Sequence, residues 1–141
     1  MTKKLFVLFG VLAIMFGLSY GRAFDIFAAQ GVGYNDLSAS DTMQLMKTEK
    51  DILILDVRTQ QEFTGEMGHL KGAKLIPVDE LSSRLAEIAP YKKKKVLVYC
   101  RSGVRSRKAS SILVNAGFEN VNNVTPGMMG MSQVPGVAVE R

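Results

Sequence analysis

Four consecutive residues, Val96-Leu97-Val98-Tyr99, are aliphatic or aromatic with no turn former among them, and the chain then breaks into Cys100-Arg101-Ser102-Gly103-Val104-Arg105-Ser106. Such a run reads as a strand buried on both faces of a parallel sheet. Beyond the polar segment, Ala109, Ile112, Leu113 and Ala116 recur at helical spacing, and Gly117 follows as a stop signal. The segment between is therefore a strand-to-helix turn. Strands and helices alternate through the rest of the folded region as well, which predicts an α/β domain with a mostly parallel sheet.

Cys100 is the only cysteine in the chain. A free cysteine most often packs as a small buried hydrophobe. Here two arginines, two serines and a glycine in the next six residues cannot all enter an apolar core. The first turn of a helix has unpaired backbone N–H groups, and a glycine-containing loop turns more of them inward as an anion-binding nest. A thiolate placed there is stabilised, the more so beside the permanently charged Arg101 and Arg105. The pattern marks Cys100 as a nucleophile.

Cys100 to Ser106 resembles the active-site loop of rhodanese-like sulfurtransferase domains. Three further segments match the family in order and spacing: Leu55-Asp56-Val57-Arg58 with Glu62-Phe63, Gly68-His69-Leu70-Lys71-Gly72-Ala73, and Gly117-Phe118 ahead of Asn122-Asn123-Val124. The resemblance runs from about Asn35 to the C-terminus. It implies a central sheet of about five strands with helices on both faces, Cys100 as the catalytic residue, and Arg101, Ser102, Gly103, Val104, Arg105 and Ser106 as the substrate-binding loop. It also makes Asp56, Arg58, Glu62 and His69 structural: an Asp-Val-Arg turn in which Arg58 ties to Glu62, and a histidine that fixes its loop by hydrogen bonding. His69 is the only histidine, so a Cys-His dyad is conceivable, but a thiolate already stabilised by backbone and arginine needs no imidazole base. Pro126-Gly127-Met128-Met129-Gly130-Met131 stands where the family usually has a Gly-Gly pair and a tryptophan. Those methionines either fill the same space or line the mouth of the site.

The implied reaction is a double displacement. Cys100 takes the outer sulfur of thiosulfate or a related small anionic donor, and the covalent persulfide then passes it to an acceptor, with no other cofactor and no metal. A second reading is a persulfide carrier serving a sulfur-acceptor protein, which an exposed apolar patch around Met128 to Met131 would favour. Phosphatase or arsenate reductase chemistry is a third. Four residues separate Cys100 from Arg105, one fewer than in the phosphatase Cys-x5-Arg ring, so the loop is narrow for a tetrahedral phosphate.

Along the chain, Ser38 caps a helix that places Ala39, Met43 and Met46 on one face, with Asp41 at its third position. Asp51 to Val57 is a strand, and Thr59 with Glu62 has capping-box spacing. Gly65 to Gly72 is a turn-rich loop, and Ala73 to Val78 a short strand. Asp79 caps a helix carrying Leu81, Leu85 and Ile88 until Pro90. Lys92 to Lys95 form a solvated turn at the strand edge away from Cys100, and Phe118 to Val124 is the last strand. Residues 35–141 are the folded domain, 24–34 a linker or N-terminal arm, and 1–23 a leader.

Lys3-Lys4, an uncharged apolar stretch from Leu5 to Leu18, and small residues at Ser19, Gly21 and Ala23 form a secretory signal pattern. The uncharged stretch reaches 17 residues if extended to Gly21, just short of a usual membrane span. An uncleaved anchor facing the periplasm is the competing reading, and only then does the chain touch a membrane. Net charge is +5, and Lys3, Lys4 and Arg22 supply three of those charges with no acid before Ala23, leaving +2 for a cleaved chain. No basic-aromatic stripe accompanies them, so nucleic acid is not an expected partner. The expectation is export, to a bacterial periplasm. N-terminal sequencing of fractionated protein should find a mature chain beginning between about Tyr20 and Phe24 outside the cytoplasm; a full-length cytosolic protein would contradict this.

Overall fold

The apolar run ahead of Cys100 forms β5 (Lys95–Tyr99), the middle strand of a five-stranded sheet ordered β1 (Tyr34–Leu37), β6 (Asn120–Val124), β5, β2 (Ile52–Asp56), β4 (Lys74–Leu75). Every pairing in it is parallel. The computed structural model describes residues 33–141, so the leader, its cleavage and anchor readings, and the arm up to residue 32 lie outside the described residues. Among the described residues no helix is long and apolar enough to cross a membrane. Tyr34, assigned to the arm in the sequence reading, is already part of β1, and it pairs with Val121.

Alternation along the strands divides the core into two layers. Leu53, Leu55 and Val57 share one face with Val96, Val98, Cys100 and Val121, and that face packs against Ala109 and Leu113 of α3 (Val104–Asn115). Ile54, Leu97, Tyr99 and Val124 point the other way, onto Met43 of α1 (Ala39–Thr48) and Met128 and Met131 of α4 (Gly127–Met131). Helices thus cover both faces of the sheet. Side chains from Val96 to Tyr99 are fully buried, and each contributes about 1.5–3 kcal/mol by removal from water.

Local signals act where expected at several ends. Ser38 Oγ accepts the Asp41 N–H at 3.1 Å and starts α1. Thr59 and Glu62 close a reciprocal capping box on the short α2 (Gln60–Phe63). At the end of α3, Gly117 N–H bonds Val114 O and Phe118 N–H bonds Leu113 O, a Schellman arrangement with Phe118 and Leu113 in the same core layer.

Two segments differ from expectation. Leu81 to Pro90 does not form one capped α-helix but two 3-10 segments, Leu81–Ser83 and Leu85–Tyr91, and Asp79 caps neither. Pro90 cannot donate an intrahelical hydrogen bond, and the backbone leaves helical geometry at Arg84, where φ is −113°. Leu81 and Ile88 are nevertheless fully buried, and Leu85 packs beside them. The Gly65 to Gly72 loop contains a short strand, β3 (His69–Leu70), which pairs antiparallel with β7 (Val139–Glu140). No sequence signal for β7 was apparent, because its pairing partner is two residues long and distant in the chain.

The end of β2 holds the most demanding contact in the fold. Arg58, 1% exposed, places Nε 3.0 Å from both carboxylate oxygens of fully buried Asp56 and Nη2 2.6 Å from one of them. The same Nη2 donates to Gly68 O at 2.8 Å, and the guanidinium carbon lies 5.5 Å from the centre of the Tyr99 ring. Tyr99 Oη accepts the Leu70 N–H at 3.1 Å. The expected Arg58–Glu62 tie does not form: Asp56 is two residues away and receives the guanidinium first, while Glu62 faces another cation. Removing one member of a buried pair strands the other. Asp56→Ala should therefore cost about 3–5 kcal/mol of stability in urea denaturation, far more than substitution of an exposed pair such as Lys94–Asp51.

Candidate active site

Cys100 leaves β5 on the face covered by α3, so its sulfur lies beneath the first turn of that helix. It is a free thiol, 1% exposed. Gly103 N–H donates to Sγ at 3.1 Å. Gly103 has φ +92°, and a Cβ there would strike the Thr125 carbonyl oxygen, so only glycine brings the loop this close to the strand end.

The other side of the loop is held by α4. Met128 N–H donates to Cys100 O at 2.8 Å and Met129 N–H to Arg101 O at 3.0 Å. These are first-turn N–H groups that α4 cannot satisfy internally. With its carbonyls drawn toward α4, the loop is left to present N–H groups to the sulfur. Gly127, at φ +56°, is needed for the same approach, since a Cβ there would overlap the backbone of Arg101 and Ser102.

The thiol pKa is lowered from its ordinary value. Burial alone would raise it, and hydrogen bonds from the Ser106 hydroxyl and from the N–H groups of Ser106, Ser102 and Gly103 outweigh that penalty. The Ser106 hydroxyl also lies 3.1 Å from Gly103 O, so its single proton either braces the loop or is shared with sulfur. The lowering comes from hydrogen bonds to the sulfur, with no arginine among its leading causes.

Arg105 is turned away from the role of a free cation. Its Nη1 and Nη2 each donate to one oxygen of Glu62, both at 2.7 Å. Glu62 also accepts from Thr59 N at 3.0 Å and from Thr59 Oγ1 at 3.1 Å. Hydrogen bonding from Arg105, more than offsetting partial burial, brings the Glu62 pKa down to about 2, so the pair stays intact until strongly acid pH. Arg101 and Ser102 are exposed, and among the described residues Arg101 makes no ion pair. The capping box around Glu62 was visible in the sequence, but its second partner was not.

His69 is engaged elsewhere. Its Nδ1 lies 3.0 Å from Phe63 O, its ring stacks on Phe63 at 3.6 Å, and Nε2 is 3.6 Å from Glu140. None of these contacts reaches Cys100. The two uses considered for the methionine segment are divided among its members. Met128 and Met131 are core, whereas Met129 is 50% exposed, and with Val104, 74% exposed, it is one of the two exposed large hydrophobics among the described residues. Val104 belongs to the loop helix, and Met129 is bonded to Arg101, so both flank the sulfur loop. Among the described residues no three His, Cys, Asp or Glu side chains converge as a metal site.

The family model described as a rhodanese-like domain matches residues 38–133. A sulfurtransferase from Allochromatium vinosum is 31% identical over 108 residues, covering 75% of this chain and 97% of that protein. A tRNA uridine(34) hydroxylase from Escherichia fergusonii is 34% identical over 107 residues, 73% of this chain but 29% of that protein. The chain spans a third or less of the length of such hydroxylases, 33% and 26% for those of Cronobacter sakazakii and Hamiltonella defensa. Among solved structures, a rhodanese-like domain protein from Staphylococcus aureus superposes with TM-score 0.64 at 28% identity, covering 76% of this chain and 99% of that one.

The hydrogen-bond account predicts how the thiol titrates. Because donors to sulfur lower the pKa, Ser106→Ala should move the pH midpoint of iodoacetamide alkylation upward, toward free cysteine. Arg101→Gln should move it less. A larger shift in Arg101→Gln than in Ser106→Ala would mean that charge, not hydrogen bonding, holds the thiolate.

Proposed function

The chain belongs to the rhodanese-like domain family, and on that premise we propose that it is a sulfurtransferase that moves sulfane sulfur from a small anionic donor to a thiophilic acceptor through a persulfide on Cys100. The observation that carries this reading is the sulfur itself: a buried thiol with a lowered pKa, facing the Gly103 N–H at 3.1 Å. Lowering the thiol pKa favours the nucleophilic thiolate, so such a group depends less on a neighbouring base.

With thiosulfate as donor, the Cys100 thiolate forms a bond to the outer sulfur while the bond to the sulfonyl sulfur breaks, and sulfite leaves with the electron pair. The persulfide's terminal sulfur carries the negative charge. N–H groups from Arg101 to Ser106 stabilise that charge where it develops, and Arg101, open to solvent, steers the incoming anion. In the second half-reaction the acceptor thiolate or other nucleophile takes the terminal sulfur and regenerates Cys100. A domain of this kind is one part of the much longer tRNA uridine(34) hydroxylases, whose named activity belongs to those whole proteins. Given the leader pattern, the proposal places this exchange outside the cytoplasm.

A persulfide carrier that serves a partner protein is the second reading. The exposure of Val104 and Met129 beside the loop supports it, because apolar side chains at the mouth suit a protein acceptor better than a small anion. Both readings run through the same persulfide.

Intact-mass measurement after incubation with thiosulfate should show one added sulfur, about 32 Da, on the wild type and none on Cys100→Ser. Steady-state transfer should fall to background in that variant. Aryl phosphates should not be hydrolysed, and Cys100-dependent phosphate release faster than sulfur transfer would overturn the assignment.

A further inference from the structure

The sulfur loop carries two arginines, but they are not equivalent. Arg101 is exposed and makes no ion pair among the described residues. Arg105 occupies the second position of α3, immediately before Ser106, and both of its terminal nitrogens are committed to Glu62 at 2.7 Å. Nor is Glu62 a loose surface acid. Its carboxylate is pinned by Thr59 N and Thr59 Oγ1, and its own backbone N–H is held by the Thr59 hydroxyl. The side chains of Arg105 and Glu62 are only 34% and 24% exposed, which protects the fork-to-fork geometry from solvent exchange.

We propose that Glu62 is a specificity-determining residue of this site: by pairing with Arg105 it cancels a cation beside the sulfur, so the loop selects sulfane donors of low negative charge over the dianion thiosulfate. The inference rests on the sulfurtransferase reading for its donor chemistry. A thiolate already carries one negative charge, so each further charge on the donor is opposed in the approach to Cys100. A free Arg105 would offset that repulsion, and a neutralised one does not. Arg105 directly precedes Ser106, whose hydroxyl and N–H face the sulfur, and its pKa is raised chiefly by Glu62 and, less strongly, by the charge on Cys100. The field of this arginine therefore reaches the sulfur, and Glu62 decides how much of it is left.

Two donors with the same reacting group separate charge from chemistry. Benzenethiosulfonate is a monoanion and thiosulfate a dianion. In each, the Cys100 thiolate bonds to the terminal sulfur as the sulfur–sulfonyl bond breaks, releasing benzenesulfinate or sulfite, so atoms and charge balance without an added oxidant or reductant. A unit charge at this remove across partly aqueous surroundings is worth about two- to sixfold in rate per unit of reactant charge.

The test compares wild type, Glu62→Gln, Arg105→Gln and the double variant at low ionic strength. Glutamine at position 62 can still close the capping box with Thr59, and thermal melts check that all four are folded. The ratio of kcat/KM for thiosulfate to that for benzenethiosulfonate should rise by about two- to sixfold in Glu62→Gln and fall by a similar factor in Arg105→Gln. In the double variant, where the net charge is that of the wild type, it should return to the wild-type value, and in 1 M salt the differences should collapse. A purely structural pair predicts no such return. Alkylation of Cys100 by anionic iodoacetate relative to neutral iodoacetamide should follow the same order, and it requires no sulfur transfer. A flat iodoacetate-to-iodoacetamide ratio across the four proteins overturns the role of Glu62. If that ratio changes as expected but no donor yields a persulfide, the charge control stands for anions at Cys100 and the sulfurtransferase reading, with the donor preference, is overturned.

Discussion

A guanidinium almost fully removed from water can persist only if its charge and its hydrogen-bonding capacity are both met, and Arg58 meets them with the Asp56 carboxylate and the Gly68 carbonyl. Much of the site's geometry follows from that requirement. Asp56 ends β2, Gly68 begins the segment leading to His69, and the ring of Tyr99 lies beside the guanidinium at the end of β5. Three stretches of chain are thus brought together around one cation, one residue before Cys100. Burial, followed by the charge of Asp56, keeps the Tyr99 phenol protonated well above its ordinary range. Its oxygen is then a neutral acceptor for Leu70 N–H.

Upon that support the sulfur loop is shaped by backbone more than by side chains. The first N–H groups of α4 take up the carbonyls of Cys100 and Arg101, and Gly103 and Gly127 permit the close approach. What remains facing the sulfur is a set of N–H and hydroxyl groups already in place, an arrangement that stabilises an anion without reorganisation. Charge is applied sparingly around it. Arg58 is matched by Asp56 and Arg105 by Glu62, leaving Arg101 as the open cation of the loop.

Much of this was legible in the chain. Ser38 at the start of α1, the Thr59–Glu62 capping box and the Gly117 stop act over four or five residues, and their chemistry is complete within that span. The strand at Val96 to Tyr99 was equally plain, since an unbroken apolar run has few other uses. The segment from Leu81 to Pro90 was half legible: Leu81 and Ile88 are buried as their spacing suggests, yet the backbone winds as 3-10 turns, because the missing N–H of Pro90 interrupts α-helical hydrogen bonding and Arg84, at φ −113°, separates the two segments. The methionine segment could not be resolved from sequence, as a flexible apolar side chain serves core and surface alike.

By itself, then, the sequence determined the alternation of strands and helices, the delivery of a lone cysteine into a polar loop, and the glycine that lets the loop close on it. Those features depend on neighbours in the chain and on residue type. Only the tertiary structure decided which acid each arginine meets. Arg58 stands four residues from Glu62 and two from Asp56, whereas Arg105 is 43 residues from Glu62, and nothing local distinguishes these options. The choice was made by burial: once β2 and β5 lie side by side, Asp56 is the only buried carboxylate among the described residues, and Glu62 on α2 faces the first turn of α3, where Arg105 supplies the matching fork.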